Sequence, residues 1–229
     1  MKVTLIAHTP EPELTVVLAA KTCYASKMPS GKLARPEMEK FLRRVVGRGH
    51  TSVLEHASFT FAVEGVSRAL THQLVRHRIA SYSQQSQRYV KLKDFARVTP
   101  PTISNDKKAL ARFEKAMAEA SEAYSALVDM GIPAEDARYV LPNAATSNIT
   151  ITMNARSLHN FFELRSCLRA QWEIRKLANL MLREVKKVAP LLFENAGAIC
   201  QTRGMCIEEE TDCKFYKLYV KKKIIKFRT

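Results

Sequence analysis

The stretch "RHRIASYSQQSQRY" (residues 76–89) concentrates positive charge in a way that decides how the whole chain is interpreted. It holds three arginines and a histidine among serines and glutamines, without one acidic residue. Such a segment repels itself unless an anionic group lies against it. In a helix the side chains of Arg76, His77 and Arg78 point about 100° apart, so they cannot all contact one phosphate. We expect either a helix end that addresses several different groups or a surface helix end with solvated arginines.

The overall composition is that of an ordinary globular protein with a large excess of positive charge. Of the 229 residues, 46% are hydrophobic and 26% are charged, and 37 Lys and Arg against 22 Asp and Glu give a net charge of +15. That excess predicts an anionic partner, such as a nucleic acid, a membrane surface or a phosphorylated small molecule. The first ten residues, "MKVTLIAHTP", have too short an apolar core for a signal peptide, and no apolar run approaches the roughly 20 residues that span a bilayer. A cytoplasmic protein without membrane contact is expected.

Hydrophobic periodicity predicts an α+β fold in which helices pack on a small, mostly antiparallel sheet. Strands are expected at residues 3–8, at 57–65, where Gly65 would end the strand, and at 148–154. Helices are expected at residues 11–24, after Pro36, at 67–75, at 107–130, after Pro133, and from residue 155 onward, with Asn154 or Ser157 as the N-cap of the last. Neither a repeat nor a Pro/Gly-rich linker divides the chain. Residues 1–229 are therefore expected to form one domain.

Several common chemical motifs are missing from the sequence. We find no glycine-rich phosphate-binding loop, no H-E-x-x-H and no G-x-S-x-G, and seven glycines leave little material for a phosphate cradle. Side chains must then hold any phosphate. The five cysteines are an odd number, and Cys200, Cys206 and Cys213 lack the close pairs of a zinc knuckle. We expect free thiols and no metal site.

A second polar cluster lies in "NARSLHNFFELR" (residues 154–165). It places Asn154, Arg156, Asn160 and Arg165 around a helix start and its following turns. Two adjacent phenylalanines indicate that one side of this helix packs in the hydrophobic core. These groups could flank one flat ligand, or they could be a capping Asn with solvated arginines. Near the first cluster, Ser86 and Arg88 alternate as in an extended loop and present a hydroxyl and a guanidinium suited to phosphate oxygens.

Taken together, these segments resemble the flavin-dependent thymidylate synthases, the ThyX family. Residues 76–89 fit the R-H-R-x7-S signature of that family, and "NARSLHNFFELRSCLRAQWEI" is similar to its second hallmark. "RGHTSVLEHASFTF" and "ARYVLP" resemble its upstream and intervening segments. The likeness covers about residues 45–175, with four motifs in the same order and at similar separations.

The resemblance implies a methyltransferase that converts dUMP to dTMP. In that family 5,10-methylenetetrahydrofolate donates the carbon, FAD is the redox cofactor and NADPH is the reductant. The family folds as an α+β domain and assembles into homotetramers whose sites lie between subunits. No specific nucleic acid and no membrane partner are implied.

The resemblance also assigns residues to ligands, position by position. The implied contacts to dUMP are Gln73, Leu74, Val75, Arg76, Gln84, Gln85, Ser86, Gln87, Arg88, Arg138 and Arg165. The implied contacts to FAD are Ser52, Arg76, His77, Arg78, Gln84, Asn154, Ala155, Arg156 and Asn160. Arg165 is the implied catalytic residue at the pyrimidine. Two positions depart from the family pattern, since Gln84 stands where some relatives have glutamate and Arg169 where some have histidine.

Residue chemistry agrees with the assignment of Arg165. C5 of uracil is a poor nucleophile until negative charge builds on the ring, and an attacking cysteine is the usual solution. Cys167 would face away from Arg165 by about 200° on a helix. A permanently charged arginine can instead stabilise the pyrimidine deprotonated at N3. We assign Ser86 to phosphate positioning, because its sequence neighbourhood offers no base to activate it.

A non-enzymatic nucleic-acid-binding protein is the competing prediction. It is favoured by the net charge and by the basic C-terminal segment at residues 214–229, in which aromatic residues lie near lysines. Against it, the chain contains no helix-turn-helix, zinc-finger or RRM signature. Flavin content would separate the two predictions.

Overall fold

The computed structural model describes residues 1–221, and within them the chain combines helices with a four-stranded antiparallel sheet. The predicted α+β fold class is therefore confirmed. Of the basic C-terminal segment at residues 214–229, residues 222–229 lie outside the described residues, and in the described part Val220 is buried in an apolar cluster.

The strands of the sheet are β1 (Lys2–His8), β2 (Ser58–Ser67), β3 (Ser81–Gln84) and β4 (Thr146–Asn154). They lie side by side in the order β1-β2-β4-β3. The central strands β2 and β4 show the period of two that the sequence predicts, because Phe59, Phe61 and Ile151 are fully buried while their neighbours are not. Strand β3 is absent from the sequence prediction, since four residues of mixed serine, tyrosine and glutamine are too few to carry a periodicity signal.

Helices occupy every position at which the sequence predicts one. The helices of the described residues are α1 (Pro12–Thr22), α2 (Arg35–Gly47), α3 (Arg68–Leu74), α4 (Pro101–Ser104), α5 (Lys107–Asp129), α6 (Ala134–Ala137), α7 (Ala155–Arg165), α8 (Trp172–Val188) and α9 (Ile199–Thr202). The two short helices α4 and α9 are additional to the prediction. Two 3-10 turns, at Thr51–His56 and Arg138–Val140, and a π-helical segment at Tyr216–Lys221 complete the regular structure of the described residues.

The helix starts follow ordinary capping chemistry. Asn154 is the N-cap of α7, where its Oδ1 accepts a hydrogen bond from the Ser157 N–H at 2.8 Å. Asp106 caps the long helix α5 in the same way. A side-chain oxygen at the N-cap satisfies an N–H that the helix leaves unpaired.

Two sequence expectations about local structure are wrong. The second strand does not end at Gly65 but continues to Ser67, because Gly65 adopts a positive φ of 66° and its N–H donates to Asn148 Oδ1 across the strands. The segment around Ser86 and Arg88 is not extended either. It forms a turn in which the Val90 N–H donates to the Ser86 carbonyl at 3.0 Å.

The chain divides into two compact units. The first comprises residues 1–2, 63–76 and 82–150, and the second comprises residues 3–62, 77–81 and those from 151 onward. The expectation of a single domain spanning residues 1–229 stays a prediction.

The second unit has an aromatic core. The Phe193 ring packs edge-on against Phe59 at 5.4 Å between centroids and against Phe162 at 6.1 Å, and it stacks on His159 at 5.3 Å. Phe161 and Phe162 are both fully buried on α7. This packing fixes the helix that carries the second polar cluster, because close-packed aromatic side chains leave few alternative arrangements.

The first unit is organised around helix α5. Tyr124 is fully buried and its hydroxyl accepts a hydrogen bond from the Leu92 N–H at 3.2 Å. Phe95, Met117 and Ala145 form a buried apolar cluster. These contacts anchor the chain that follows the charged segment at residues 76–89.

Candidate active site

The charged segment begins at the end of α3. Ser67 caps this helix by accepting a hydrogen bond from the Leu70 N–H at 3.0 Å, and the helix ends at Leu74. Arg76 and Arg78 are exposed and His77 is half-buried. The three consecutive side chains thus lie at a helix end and not on one helical face, as the sequence predicts.

His77 positions Arg165. The Nε–H of Arg165 donates to Nε2 of His77 at 2.9 Å. The His77 ring packs edge-on against Phe161, with 5.0 Å between centroids. Phe161 and Arg165 are four residues apart on α7, so one helix face presents both the ring that supports His77 and the guanidinium that bonds it.

His77 is neutral in this arrangement. Because Nε2 accepts the hydrogen bond from Arg165, the ring proton is assigned to Nδ1. Burial lowers the pKa of His77 from 6.5 to about 4, and the positive charge of Arg165 adds to that effect. A neutral imidazole is the protonation state that can hold a guanidinium through its ring nitrogen.

The start of α7 exposes the remaining groups of the second cluster. Asn154 is engaged as the N-cap, and buried Ala155 donates its N–H to the Ala57 carbonyl at 2.8 Å. Arg156 and Asn160 follow with a spacing of four residues, so they lie on one side of the helix. Arg156 is half-buried and Asn160 is exposed, which leaves both available to a ligand.

In the first unit, Gln84 is held by two buried hydroxyl groups. Its Nε2 donates to Thr71 Oγ1 at 3.2 Å and to Ser147 Oγ at 3.1 Å. Sequence reasoning misses both hydroxyl residues, because nothing in their local pattern distinguishes them from other strand and helix residues.

Within the charged segment at residues 76–89, Tyr82 ties strand β3 to the end of helix α3. The Tyr82 hydroxyl donates to the Leu74 carbonyl at 2.9 Å, and burial raises the pKa of Tyr82 to about 12. Further along, Gln85 pairs with Asn148 through its N–H and its side-chain oxygen. The turn that follows is therefore attached at both its backbone and its side chains.

Arg88 and Arg138 both contact Glu135, an acidic residue that the sequence motifs do not single out. Arg88 Nε donates to the Glu135 carboxylate at 2.7 Å, and Arg138 Nε donates to the Glu135 carbonyl at 2.9 Å. The Arg88 N–H also donates to Ser86 Oγ at 3.1 Å. The spacing of Glu135 three residues before Arg138 on a short helical segment is the signal that could have indicated this contact.

Most of the arginines in the two clusters have no acidic partner. Within residues 1–221, four of them form no ion pair with a carboxylate, namely Arg76, Arg78, Arg156 and Arg165, and the same holds for Arg138 outside the clusters. Arg88, by contrast, is paired with Glu135 in an exposed position. Unpaired arginines are suited to bidentate contacts with phosphate or carboxylate groups.

The two compact units divide the predicted site residues by ligand. The first unit holds Gln73, Leu74, Val75, Arg76, Gln84, Gln85, Ser86, Gln87, Arg88 and Arg138. The second holds Ser52, His77, Arg78, Asn154, Ala155, Arg156, Asn160 and Arg165. Most residues assigned to dUMP thus lie in the first unit, and most residues assigned to FAD lie in the second.

The cysteines are free thiols, as predicted. Cys200 is buried, Cys167, Cys206 and Cys213 are half-buried, and Cys23 is exposed. Over the described part of the chain, no three His, Cys, Asp or Glu side chains are arranged so that they could hold a metal ion. None of the helices formed by these same residues combines the length and the apolar character that a membrane span requires.

Comparison with known proteins gives a consistent result. Residues 4–191 match the family model described as thymidylate synthase complementing protein. A flavin-dependent thymidylate synthase of Geobacter sulfurreducens is 56% identical over 218 residues, covering 93% of this chain and 94% of the relative. Proteins of the same name from Clostridium tetani and Pyrococcus furiosus are 49% and 42% identical, with coverage of 91% or more on both sides. The matches confirm the predicted resemblance and extend it beyond residues 45–175.

Proposed function

We propose that this chain catalyses the reductive methylation of dUMP to dTMP, because it belongs to the family described as thymidylate synthase complementing protein. As a member of that family it is an enzyme of the methyltransferase class. In the proposed reaction 5,10-methylenetetrahydrofolate donates the carbon, NADPH is the reductant and FAD is the bound cofactor.

The observation that carries the proposal is the contact between Arg165 and His77. The guanidinium of Arg165 is held through Nε by a neutral imidazole, and within residues 1–221 it is not neutralised by a carboxylate. Its terminal nitrogens remain able to donate to a ligand. A fixed, un-neutralised cation is what a uracil ring needs to lose its N3 proton and gain nucleophilicity at C5.

No cysteine is needed in this scheme. Cys167 lies two residues beyond Arg165 and packs in a small cluster with Cys200 and Val220. Ser86 Oγ accepts a hydrogen bond from a backbone N–H, which suits positioning of a phosphate and not nucleophilic attack. Arg165 thus activates the pyrimidine without an enzyme nucleophile.

Ser86, Arg88 and Arg138 are proposed to hold the phosphate of dUMP. Arg88 and Glu135 are both about half-exposed, and an exposed ion pair stabilises a protein little. A nucleotide phosphate carries more negative charge than one carboxylate, so it can displace Glu135 from Arg88. Arg138 already lies beside the same residue and has no acidic partner of its own among the described residues.

The residues present fit a flavin dinucleotide. A pyrophosphate needs positively charged groups and hydrogen-bond donors around it. Arg78, Arg156 and Asn160 offer such groups at exposed or half-exposed positions. Ser52 adds an exposed hydroxyl in the 3-10 turn Thr51–His56. Asn154 and Ala155 would contribute by fixing the start of α7. When bound, the flavin supplies hydride transfer, which no amino-acid side chain can perform.

Gln84 is compatible with the same reaction despite its departure from the family pattern. Its amide already donates to Thr71 and Ser147, so it is neutral and oriented by buried hydroxyl groups. A glutamate here would have to accept hydrogen bonds from both hydroxyls instead. The change alters the charge beside the ligands and leaves the Arg165–His77 contact untouched.

Assembly into a homotetramer with sites shared between subunits is part of the proposal. Tyr89 follows Arg88 and is 80% exposed, and Tyr139 follows Arg138 and is 84% exposed. Large aromatic residues are common at the buried centre of protein interfaces. A second copy of the chain that covers these tyrosines would also cover the phosphate-binding arginines.

A flavin assay separates this proposal from a nucleic-acid-binding protein. Purified protein should be yellow and release FAD on denaturation, and NADPH should bleach its absorbance under anaerobic conditions. Colourless protein that takes up no FAD but binds oligonucleotides at physiological salt would favour the competing function.

A further inference from the structure

Four of the five cysteines line one small cavity in the second unit. Its volume is about 30 Å³, and its thiol-bearing residues are Cys167, Cys200, Cys206 and Cys213. They come from separate places in the chain, namely the turn after α7, helix α9 and the segment that follows α9. A cavity of this volume admits about one water-sized molecule.

Cys167 and Cys200 differ in exposure although they share this cavity. Cys200 is only 5% exposed and belongs to the apolar cluster with Ala198 and Val220, against which Cys167 packs. Burial raises the pKa of the Cys200 thiol, and negative charge on Cys167 would raise it further. Cys200 is thus the buried partner, whose thiol loses its proton only as it reacts with a neighbouring sulfur, while half-buried Cys167 is the residue of the pair that solvent reaches more easily.

The cavity wall also carries charged groups. Arg169 lines the cavity and is 58% exposed in an ion pair with Glu210, at 3.2 Å. Glu163, which lines it too, is paired with Arg203. Since these thiols do not form a ligand set for a metal among the described residues, their available chemistry is that of neighbouring thiols. Adjacent thiols of unequal exposure are the arrangement in which one is oxidised and the other resolves it.

We propose that Cys167 and Cys200 are a peroxide-sensitive thiol pair that forms a disulfide. The Cys167 thiolate attacks one oxygen of a hydroperoxide, the O–O bond breaks, and sulfenic acid and water or an alcohol result. The Cys200 sulfur then displaces the sulfenic oxygen as water, with loss of its proton. In balance, two thiols and one hydrogen peroxide give one disulfide and two waters.

The disulfide would restrain the chain next to Arg165. Cys167 lies two residues after Arg165, so a bond to Cys200 ties the end of α7 to α9. We expect oxidation to lower synthase turnover and a dithiol reductant to restore it. This consequence rests on the proposed function, whereas formation of the disulfide does not.

The test is a mass measurement on the full chain, so it does not depend on enzymatic activity. Reduced protein is treated with hydrogen peroxide, its remaining thiols are alkylated, and the intact mass and the proteolytic peptides are determined. The expected result is loss of two alkylation sites and a linked pair of peptides containing Cys167 and Cys200. Dithiothreitol should restore both sites.

Matched variants complete the design. Cys23→Ser removes an exposed cysteine outside the cluster and should leave the Cys167–Cys200 link intact. Cys167→Ser and Cys200→Ser should each abolish it. Full alkylation of Cys167 and Cys200 after peroxide treatment, or a link that joins Cys206 to Cys213 instead, would overturn the proposal. The peptide map of the wild-type chain is decisive by itself, so the proposal stays testable even if one of the variants fails to fold.

Discussion

The neutral state of His77 predicts a specific dependence of stability on pH. In the folded chain the pKa of His77 is about 4, against 6.5 for an ordinary histidine. Between these values the unfolded chain binds a proton at this residue and the folded chain does not. The free energy of unfolding must therefore fall as the pH is lowered from about 6.5 towards 4, and the stabilisation is fully present above pH 6.5.

The magnitude follows from the two pKa values. The lowering from 6.5 to about 4 corresponds to at most about 3.4 kcal/mol of stability lost across the window. His77 is only half-buried, so solvent screening reduces the effect, and we expect about 1–2 kcal/mol. The substitution His77→Gln removes this contribution, because the amide oxygen can still accept from Arg165 and does not titrate.

Urea unfolding of both proteins from pH 4.5 to 8 measures the difference. The wild-type chain should lose about 1–2 kcal/mol more stability than His77→Gln as the pH falls through the window. Exposed His72, changed to Gln, is the matched control and should keep the wild-type pH dependence. Parallel curves for wild type and His77→Gln would refute the neutral, buried state of His77.

Three further predictions concern the proposed site and its support. Arg165→Ala should leave a folded, flavin-binding protein whose kcat for dTMP formation falls roughly 10²–10³-fold, while Arg183→Ala, at an exposed position of α8, should keep the wild-type kcat. Arg88→Ala should raise the KM for dUMP roughly tenfold with a smaller effect on kcat, and an unchanged KM would remove Arg88 from phosphate binding. Phe161→Ala, which removes the fully buried ring beneath His77, should lower the free energy of unfolding by about 3–5 kcal/mol in urea, and a loss below about 1 kcal/mol would contradict the packing described.

Much of the fold could be predicted because its signals are local. The alternation in β2 and β4, the apolar spacing of α5 and the cap at Asn154 all depend on residues close together in sequence. Strand β3 has no such signal, since it is short and its pairing partner β4 lies far along the chain. The sequence wrongly predicts that the strand ends at Gly65. A lone glycine within a strand does not reveal whether its N–H has an acceptor on the neighbouring strand, which here is the side chain of Asn148.

The candidate site could be predicted only as a set of residues. The motifs select Arg88, Arg165 and His77, but they do not show that His77 holds Arg165 or that Glu135 holds Arg88. Both contacts join residues at least 47 positions apart. Their geometry depends on packing around Phe161 and on the turn at Ser86, which sequence spacing does not encode.

The most direct test of the central claim, that Arg165 activates dUMP without an enzyme nucleophile, is a single-turnover experiment. The flavin-loaded protein is reduced anaerobically with NADPH, mixed with dUMP and 5,10-methylenetetrahydrofolate, and quenched for mass spectrometry of nucleotide and protein. We predict dTMP in proportion to bound flavin, no nucleotide attached to any cysteine or serine, and almost no dTMP from Arg165→Ala. A covalent nucleotide adduct on the protein, or equal dTMP from the variant, would contradict the account.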